Sequence, residues 1–443
     1  MKVTALQKSI AKKLFANKEI DTQTYNFLMN NKKTKHGYMY FLPKIHKIDS
    51  TLVKKILKDG VCQDILDFPY RPIVNKCNSP TRRIEKFLDL LLKPLLRKES
   101  FYIQDTKDFI NRIESCKLES DCKLIAYDVT SMYTNMQIND LQETMSKKLS
   151  TIDQGSYKVK VPNTTDLIKF VKLVLENNEF EFDGQLYKQV IGAPMGGILS
   201  PTCTDLHLAS ILKIILDKFQ HKKNIRLHCQ YRDDGFIAFT GNNNQIEEFF
   251  SIANAINPLL KFTYETSNYL MKYLDTEVYK GTRFLDSGFL DIKSHIKTTE
   301  TYQYLPPLSS HPAHTCINIT MGETIRHIRN NSSEIELHKQ LCNLENKLTD
   351  RGYKKNKTKN IIHDTRNKIN RLQTLAVKPV SKNIPLTLTT RFNPAVKGLG
   401  RALRKHWNKL QSDEVCQSIF KQVPIIAYKR TKNLKEYFAE SRY

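Results

Sequence analysis

The sequence predicts an α+β fold in which helices cover one side of an antiparallel sheet. Two observations carry this. Short apolar, β-prone segments at 123–129, 227–231 and 235–240 alternate with longer stretches of helical spacing at 139–149, 165–175, 202–219 and 244–255. Acidic residues also stand at the strand ends: Asp128 closes one segment, and Asp233 with Asp234 lies between the other two, in an Asp-Asp-Gly turn.

The elements follow in order. Residues 6–15 are amphipathic and read as a helix, and Asp21 caps a second one running to Leu28. Two proline-bearing strings come next, Phe41-Leu42-Pro43-Lys44-Ile45-His46-Lys47 and Tyr70-Arg71-Pro72-Ile73-Val74, with a polar insert at 48–67 between them. Ser79-Pro80 opens a helix reaching Leu96, with Phe87, Leu88, Leu91, Leu92 and Leu95 on one face, and 101–113 reads as a further helix. Segment 180–187 is a hairpin around Asp183-Gly184. A glycine-rich turn, 189–201, feeds the apolar helix 202–219. After the acidic hairpin, 261–265 and 269–275 read as strands, with more strands near 282–292. Beyond Thr320 the pattern turns helical, at 334–348 and 361–375. There is no internal repeat and no Gly/Ser linker.

Three carboxylates at strand ends suit the in-line attack of a 3′-hydroxyl on a nucleotide α-phosphate, which uses two metal ions roughly 3.5–4 Å apart. Mg²⁺ takes one or two carboxylates plus phosphate and water oxygens, so Asp128, Asp233 and Asp234 are the candidate ligands. An Asp-Asp-Gly string alone is first of all a turn. Its company in chain order gives it weight. Gly192-Ala193-Pro194-Met195-Gly196-Gly197 lets backbone approach a base pair closely, and the two proline-bearing strings read as loops that present Lys44 and Arg71 as cations to a triphosphate.

The strings Leu42-Pro43-Lys44, Arg71-Pro72-Ile73, Asp128-Val129-Thr130-Ser131-Met132-Tyr133-Thr134-Asn135, Ala193-Pro194-Met195-Gly196-Gly197-Ile198-Leu199-Ser200-Pro201 and Tyr231-Arg232-Asp233-Asp234 occur in the order seen in reverse transcriptases, which the chain resembles. Leu-Pro-Lys-Ile-His-Lys, Asp-Val-Thr-Ser-Met-Tyr-Thr-Asn and the Met-Gly pair are similar to Penelope-like retroelements in particular. Downstream, Ser310-His311-Pro312, Gly322-Glu323, Arg326 with Arg329, Arg351-Gly352-Tyr353 and the string 427–435 extend the likeness over nearly the whole chain.

The resemblance implies a right-hand polymerase: N-terminal helices and fingers over 1–120, an antiparallel-sheet palm over 121–294, and a basic helical thumb with the C-terminal region over 295–443. It implies that Asp128 and Asp233 hold two Mg²⁺ ions, with Asp234 an intermittent ligand and Mn²⁺ a possible substitute. Lys44, Arg71, Val129, Tyr133, Met195 and Gly196 would meet the nucleotide; Gly197, Ser200, Pro201, Tyr231, Arg232, Tyr273 and Leu274 would meet template or primer. Tyr133 stands where reverse transcriptases place an aromatic gate against the ribose 2′-hydroxyl, which favours dNTPs. The implied partners are an RNA template and a DNA primer. An RNA-dependent RNA polymerase and an inactive nucleic-acid-binding derivative are the alternatives. Arg232 departs from the family's usual aliphatic residue and Gln137 from its usual proline. No GIY-YIG endonuclease motif is present, so nicking is expected in trans, or priming from existing DNA ends.

A formal charge of +25 points to a polyanionic partner. Residues 321–443 carry 26 Lys and Arg against 10 Asp and Glu, which predicts salt-dependent phosphate binding there. Nine scattered cysteines without a Cys-x-x-Cys pair fit a reducing compartment, with the nucleus favoured over the cytoplasm. His311, His314 and Cys316 sit together, but no second pair accompanies them as a zinc site needs. No uncharged apolar stretch approaches ~20 residues, so membrane insertion is not expected.

Overall fold

The structure, a computed structural model, describes residues 2–30, 34–44, 70–297, 300–376, 386–393, 398–420 and 422–429. Ile45-His46-Lys47, the polar insert at 48–67 and the basic string 430–435 lie outside the described residues. The chain divides after Asp291 into two compact units, 1–291 and 292–443.

The strands of the first unit are β1 (Gly37–Pro43), β2 (Tyr70–Asn75), β3 (Lys123–Thr130), β4 (Glu179–Phe182), β5 (Gln185–Lys188), β6 (Ile225–Tyr231), β7 (Asp234–Phe239), β8 (Lys261–Ser267), β9 (Leu270–Tyr273) and β10 (Thr276–Tyr279). One sheet runs β6-β7-β3-β8, antiparallel throughout. A second runs β2-β1-β4-β5, in which β1 and β4 are parallel. In β3, Leu124, Ile125, Tyr127 and Val129 are buried while Asp128 and Thr130 are exposed, so the strand end turns its acid outward and its apolar side chains inward.

One apolar cluster joins Ile125, Tyr127 and Val129 of β3 and Ile237 and Phe239 of β7 to Leu206 and Leu212 of helix Ser200–Lys218 and to Phe249 and Phe250 of helix Asn243–Ile256. Each such side chain contributes about 1.5–3 kcal/mol when fully buried. Helix Arg82–Leu96 adds the five apolar residues read as its inner face, all buried.

The boundaries differ from the sequence reading at four places, each for a local reason. Residues 101–103 are not helical. They run beside β6, where Gln230 N donates to Phe101 O (2.7 Å) and Ile103 N to Gln230 O (3.0 Å), and the helix Thr106–Glu114 starts only after Asp105, which caps Asp108 N. Residues 282–287 form a helix rather than a strand, stopped by Gly288 at φ 78° with its amide on Phe284 O. The stretch 361–375 breaks into Lys355–Lys368 and Arg371–Leu375 because Asn370 forms a capping box with Gln373. The acidic turn is displaced as well: the loop is Arg232-Asp233, and Asp234-Gly235 already belongs to β7.

In the second unit, helices Ala313–Asn330, Glu334–Asp350 and Lys355–Lys368 pack around Ile328, Leu337, Leu341, Leu344, Leu348, Tyr353 and Ile362. Strands Thr387–Arg391 and Ile425–Lys429 pair in parallel. Among the described residues no helix is long and apolar enough to cross a membrane.

Candidate active site

The antiparallel register of the main sheet sets Asp128 directly opposite Asp234, and Asp234 opposite Tyr231. Asp233 lies in the two-residue loop between β6 and β7, and its carbonyl accepts the Val129 amide at 2.9 Å, which fixes the loop against the end of β3. All three carboxylates thus belong to one corner of the sheet. Asp128 and Asp234 are exposed and Asp233 is half-buried. Side chains directly opposite on neighbouring strands have Cβ atoms about 4.5–5.5 Å apart, and like charges there repel.

The hairpin is gripped from beneath. The buried Gln230 donates through Nε2 to the carbonyls of Arg232 (2.7 Å) and Asp234 (3.1 Å). Tyr273 donates its hydroxyl to the Asp234 carbonyl at 3.1 Å. Tyr127, next to Asp128, donates to Gln230 Oε1 and shares a 2.7 Å hydrogen bond with His228 Nε2. Gly235 follows Asp234 because the Tyr127 ring occupies its side-chain space: a Cβ would lie 2.0 Å from the ring.

Burial pushes the His228 imidazole down to about 4 from its ordinary 6.5. The folded value lies below the unfolded one, so as pH falls the unfolded chain takes up the proton first. Stability from this group is full above about 6.5 and is lost towards pH 4, by about 3 kcal/mol in total. Thermal unfolding of wild type and His228→Gln between pH 7 and 4.5 measures it. The variant is expected to show a shallower acid slope.

The glycine-rich turn joins the corner through backbone. Ala193 N donates to Tyr133 O (2.7 Å) and Gly192 N to Met136 O (2.9 Å), while Val74 N of β2 donates to Met195 O (2.8 Å). Gly196 adopts φ 125°, and a Cβ there would meet Val74 O at 2.2 Å, so no other residue fits. Beneath the turn, Glu85 Oε2 accepts the amide of the half-buried Ile198 (2.7 Å) while Oε1 accepts from the buried Thr81 (2.7 Å) and pairs with the buried Lys76 Nζ (2.7 Å). Burial would raise the Glu85 pKa, but the charge and hydrogen bond of Lys76 hold it below the usual range.

Tyr133 lies in the short helix Met132–Asn135 and is half-buried. Burial pushes its phenol up to about 12, and Arg232, Asp205 and Thr204 are its neighbours. Arg71 sits in β2, not in a loop, opposite Leu42 of β1; Lys44 directly follows β1, so the two cations share one end of that ladder.

Several expected contacts are placed otherwise. Tyr273 is buried and braces β7, so its side chain does not face a primer. Ser200 and Gly197 are buried and support the turn from within. The Val129 side chain is in the core and its amide is already taken by Asp233. Met195, Pro201, Tyr231, Arg232 and Leu274 are half-buried, and Gly196 is exposed. The sequence reading missed Gln230, Lys76, Glu85 and Asp205. The last had one visible signal, a single carboxylate in the largely apolar stretch 202–215.

The oxygen donors at this corner suit a hard cation. Among the described residues no three His, Cys, Asp or Glu side chains already surround one point, around His311 and Cys316 or here. Asp128 and Asp234, opposed across the ladder with Asp233 beside them, still fit Mg²⁺, which leaves most of its coordination to substrate phosphate and water.

The family described as Animal helix-turn-helix domain matches residues 303–363. No curated protein matches the chain. Among solved structures, a telomerase from Candida albicans in complex with a TWJ fragment of telomeric RNA is 10% identical, with TM-score 0.51, over 89% of this chain and 66% of that one. An apo telomerase from Candida tropicalis is 11% identical, with TM-score 0.45, over 77% and 61%. The RNA-dependent RNA polymerase of a human picorbirnavirus is 10% identical, with TM-score 0.41, over 64% and 53%. The chain spans less than two thirds of each. The protein has the α+β fold of right-hand polymerases.

Proposed function

We propose that this chain is an RNA-templated DNA polymerase of the Penelope-like retroelement kind, extending a primer 3′-hydroxyl with dNTPs. The observation that carries the reading is the register of Asp128 against Asp234 with Asp233 locked to Val129. Three carboxylates gathered at one sheet corner suit two-metal phosphoryl transfer, which a mere binder does not need.

Asp128, Asp233 and Asp234 would hold Mg²⁺, or Mn²⁺ in its place. When bound there, the ions supply activation of the primer hydroxyl and charge neutralisation at the leaving pyrophosphate. Arg71 and Lys44, at one end of the β1–β2 ladder, cradle the triphosphate, Arg71 by its fork and Lys44 as a point charge. Met195 and Gly196 present backbone to the incoming nucleotide. The helices of 303–363 and the basic surplus beyond residue 321 bind the template–primer duplex through its phosphates, with steep salt dependence. The nucleus is the compartment that fits.

The half-buried Tyr133 closes the sugar side of the pocket. Tyr133→Ala is expected to raise ribonucleotide use relative to dNTP use roughly 10- to 200-fold, the range for reshaping a steric pocket. Single-nucleotide incorporation of dGTP against GTP on an RNA template reads this. Unchanged sugar discrimination would remove Tyr133 from the role. Wild-type preference for NTPs over dNTPs would replace the proposed activity with RNA synthesis.

A further inference from the structure

Arg232 occupies the first position of the acidic loop, at φ 58°, next to Asp233. A cation there opposes the binding of a divalent ion by the adjoining carboxylates. Its side chain donates through Nη1 to Asp205 Oδ2 on helix Ser200–Lys218, and Asp233 is a further electrostatic neighbour of Asp205. The Cζ atom lies 5.9 Å from the centre of the Tyr231 ring, and Tyr133 and Tyr102 are further electrostatic neighbours. The Asp205 side chain is only 4% exposed, and its Oδ1 atom is buried with no hydrogen-bond partner. A carboxylate so placed is costly unless a charge answers it, and Arg232 is the cation in direct contact. The buried carboxylate on the helix and the cation on the loop therefore explain each other.

We propose that Asp205 is a positioning residue that neutralises Arg232 and holds its guanidinium away from Asp128, Asp233 and Asp234, so that a cation at the tip does not compete with the divalent ion. The proposal rests on the reading of those three carboxylates as metal ligands. Through it, Asp205 sets metal affinity without touching metal or substrate. It also keeps Arg232 on the helix side of the loop, beside Tyr133.

The test is Mn²⁺ binding to the full-length chain without nucleotide, read from the electron paramagnetic resonance signal of free Mn²⁺, for wild type, Asp205→Asn, Asp205→Asn/Arg232→Met and Asp128→Asn. Asp205→Asn keeps the side-chain shape and removes the charge. Its Mn²⁺ dissociation constant is expected to rise roughly tenfold, with recovery to the wild-type value in the double variant. The Mg²⁺ concentration for half-maximal primer extension should rise alongside in Asp205→Asn, with the rate at saturating Mg²⁺ falling far less. Circular dichroism and thermal unfolding verify that each variant is folded. Unchanged Mn²⁺ affinity in Asp205→Asn, or a rate lost equally at all Mg²⁺ concentrations, would mean a packing role only and overturn the proposal. Weakened binding that the double variant fails to recover would overturn it too. If Asp128→Asn binds Mn²⁺ as wild type does, the metal-site reading falls and takes this proposal with it.

Discussion

Asp128→Asn is expected to lower nucleotide incorporation by roughly 10³-fold or more, since losing about 4 kcal/mol of charge stabilisation at the reacting phosphate has that effect on rate. Binding of primer–template should stay nearly unchanged, because phosphate contacts made elsewhere on a basic surface supply it. Stability gives the second half of the expectation. Asparagine preserves the volume at this exposed strand position while removing one of two like charges that face each other across β3 and β7. Thermal unfolding of the variant is therefore expected close to the wild-type temperature. Loss of activity without loss of stability marks a carboxylate kept for chemistry. A variant that is inactive because it unfolds would mark a structural one.

Lys76→Met is expected to cost about 3–5 kcal/mol of stability, the usual penalty for stranding a buried charge. Lys76 and Glu85 are both nearly inaccessible, at 3% and 1% side-chain exposure, and Glu85 also holds the Ile198 amide of the glycine-rich turn. Removing the cation leaves a carboxylate that must either be protonated or draw water into the core. The double variant Lys76→Met/Glu85→Gln is expected to regain most of the loss, because the stranded charge is gone. Urea midpoints at constant m-value measure both. The acid side follows from the same pair. The folded Glu85 pKa lies below its ordinary 4.5, so its contribution is full above that value and is lost as pH falls beneath it. Equal stability of Lys76→Met and wild type would contradict the account of this network.

The strands carrying the acids were legible because apolar alternation and chain order reinforce one another: β3, β6 and β7 emerge where the pattern at 123–129, 227–231 and 235–240 places them. The Asp183-Gly184 hairpin was legible for a local reason, since both residues take positive φ. The acidic turn was off by one residue. Gly235 resembles a turn glycine in sequence, but it is small to admit the Tyr127 ring from the neighbouring strand, a contact no local pattern records. Pro43 and Pro72 suggested loops, yet they sit opposite Tyr70 and Phe41 in a paired ladder, at the end of β1 and on β2, an edge strand of its sheet. The two ion pairs were illegible in a stronger sense. Lys76 and Glu85 come from a turn and a helix, Arg232 and Asp205 from a loop and a helix, and each pairing depends on how those elements fold together.

Primer extension on an RNA template is the most direct test of the central claim, with purified chain, a DNA primer and Mg²⁺, comparing dNTPs with NTPs and wild type with Asp233→Asn. The account predicts DNA products from wild type with dNTPs, and none from the variant despite equal primer–template binding. Tight binding without synthesis by either protein would contradict it, as would undiminished synthesis by Asp233→Asn.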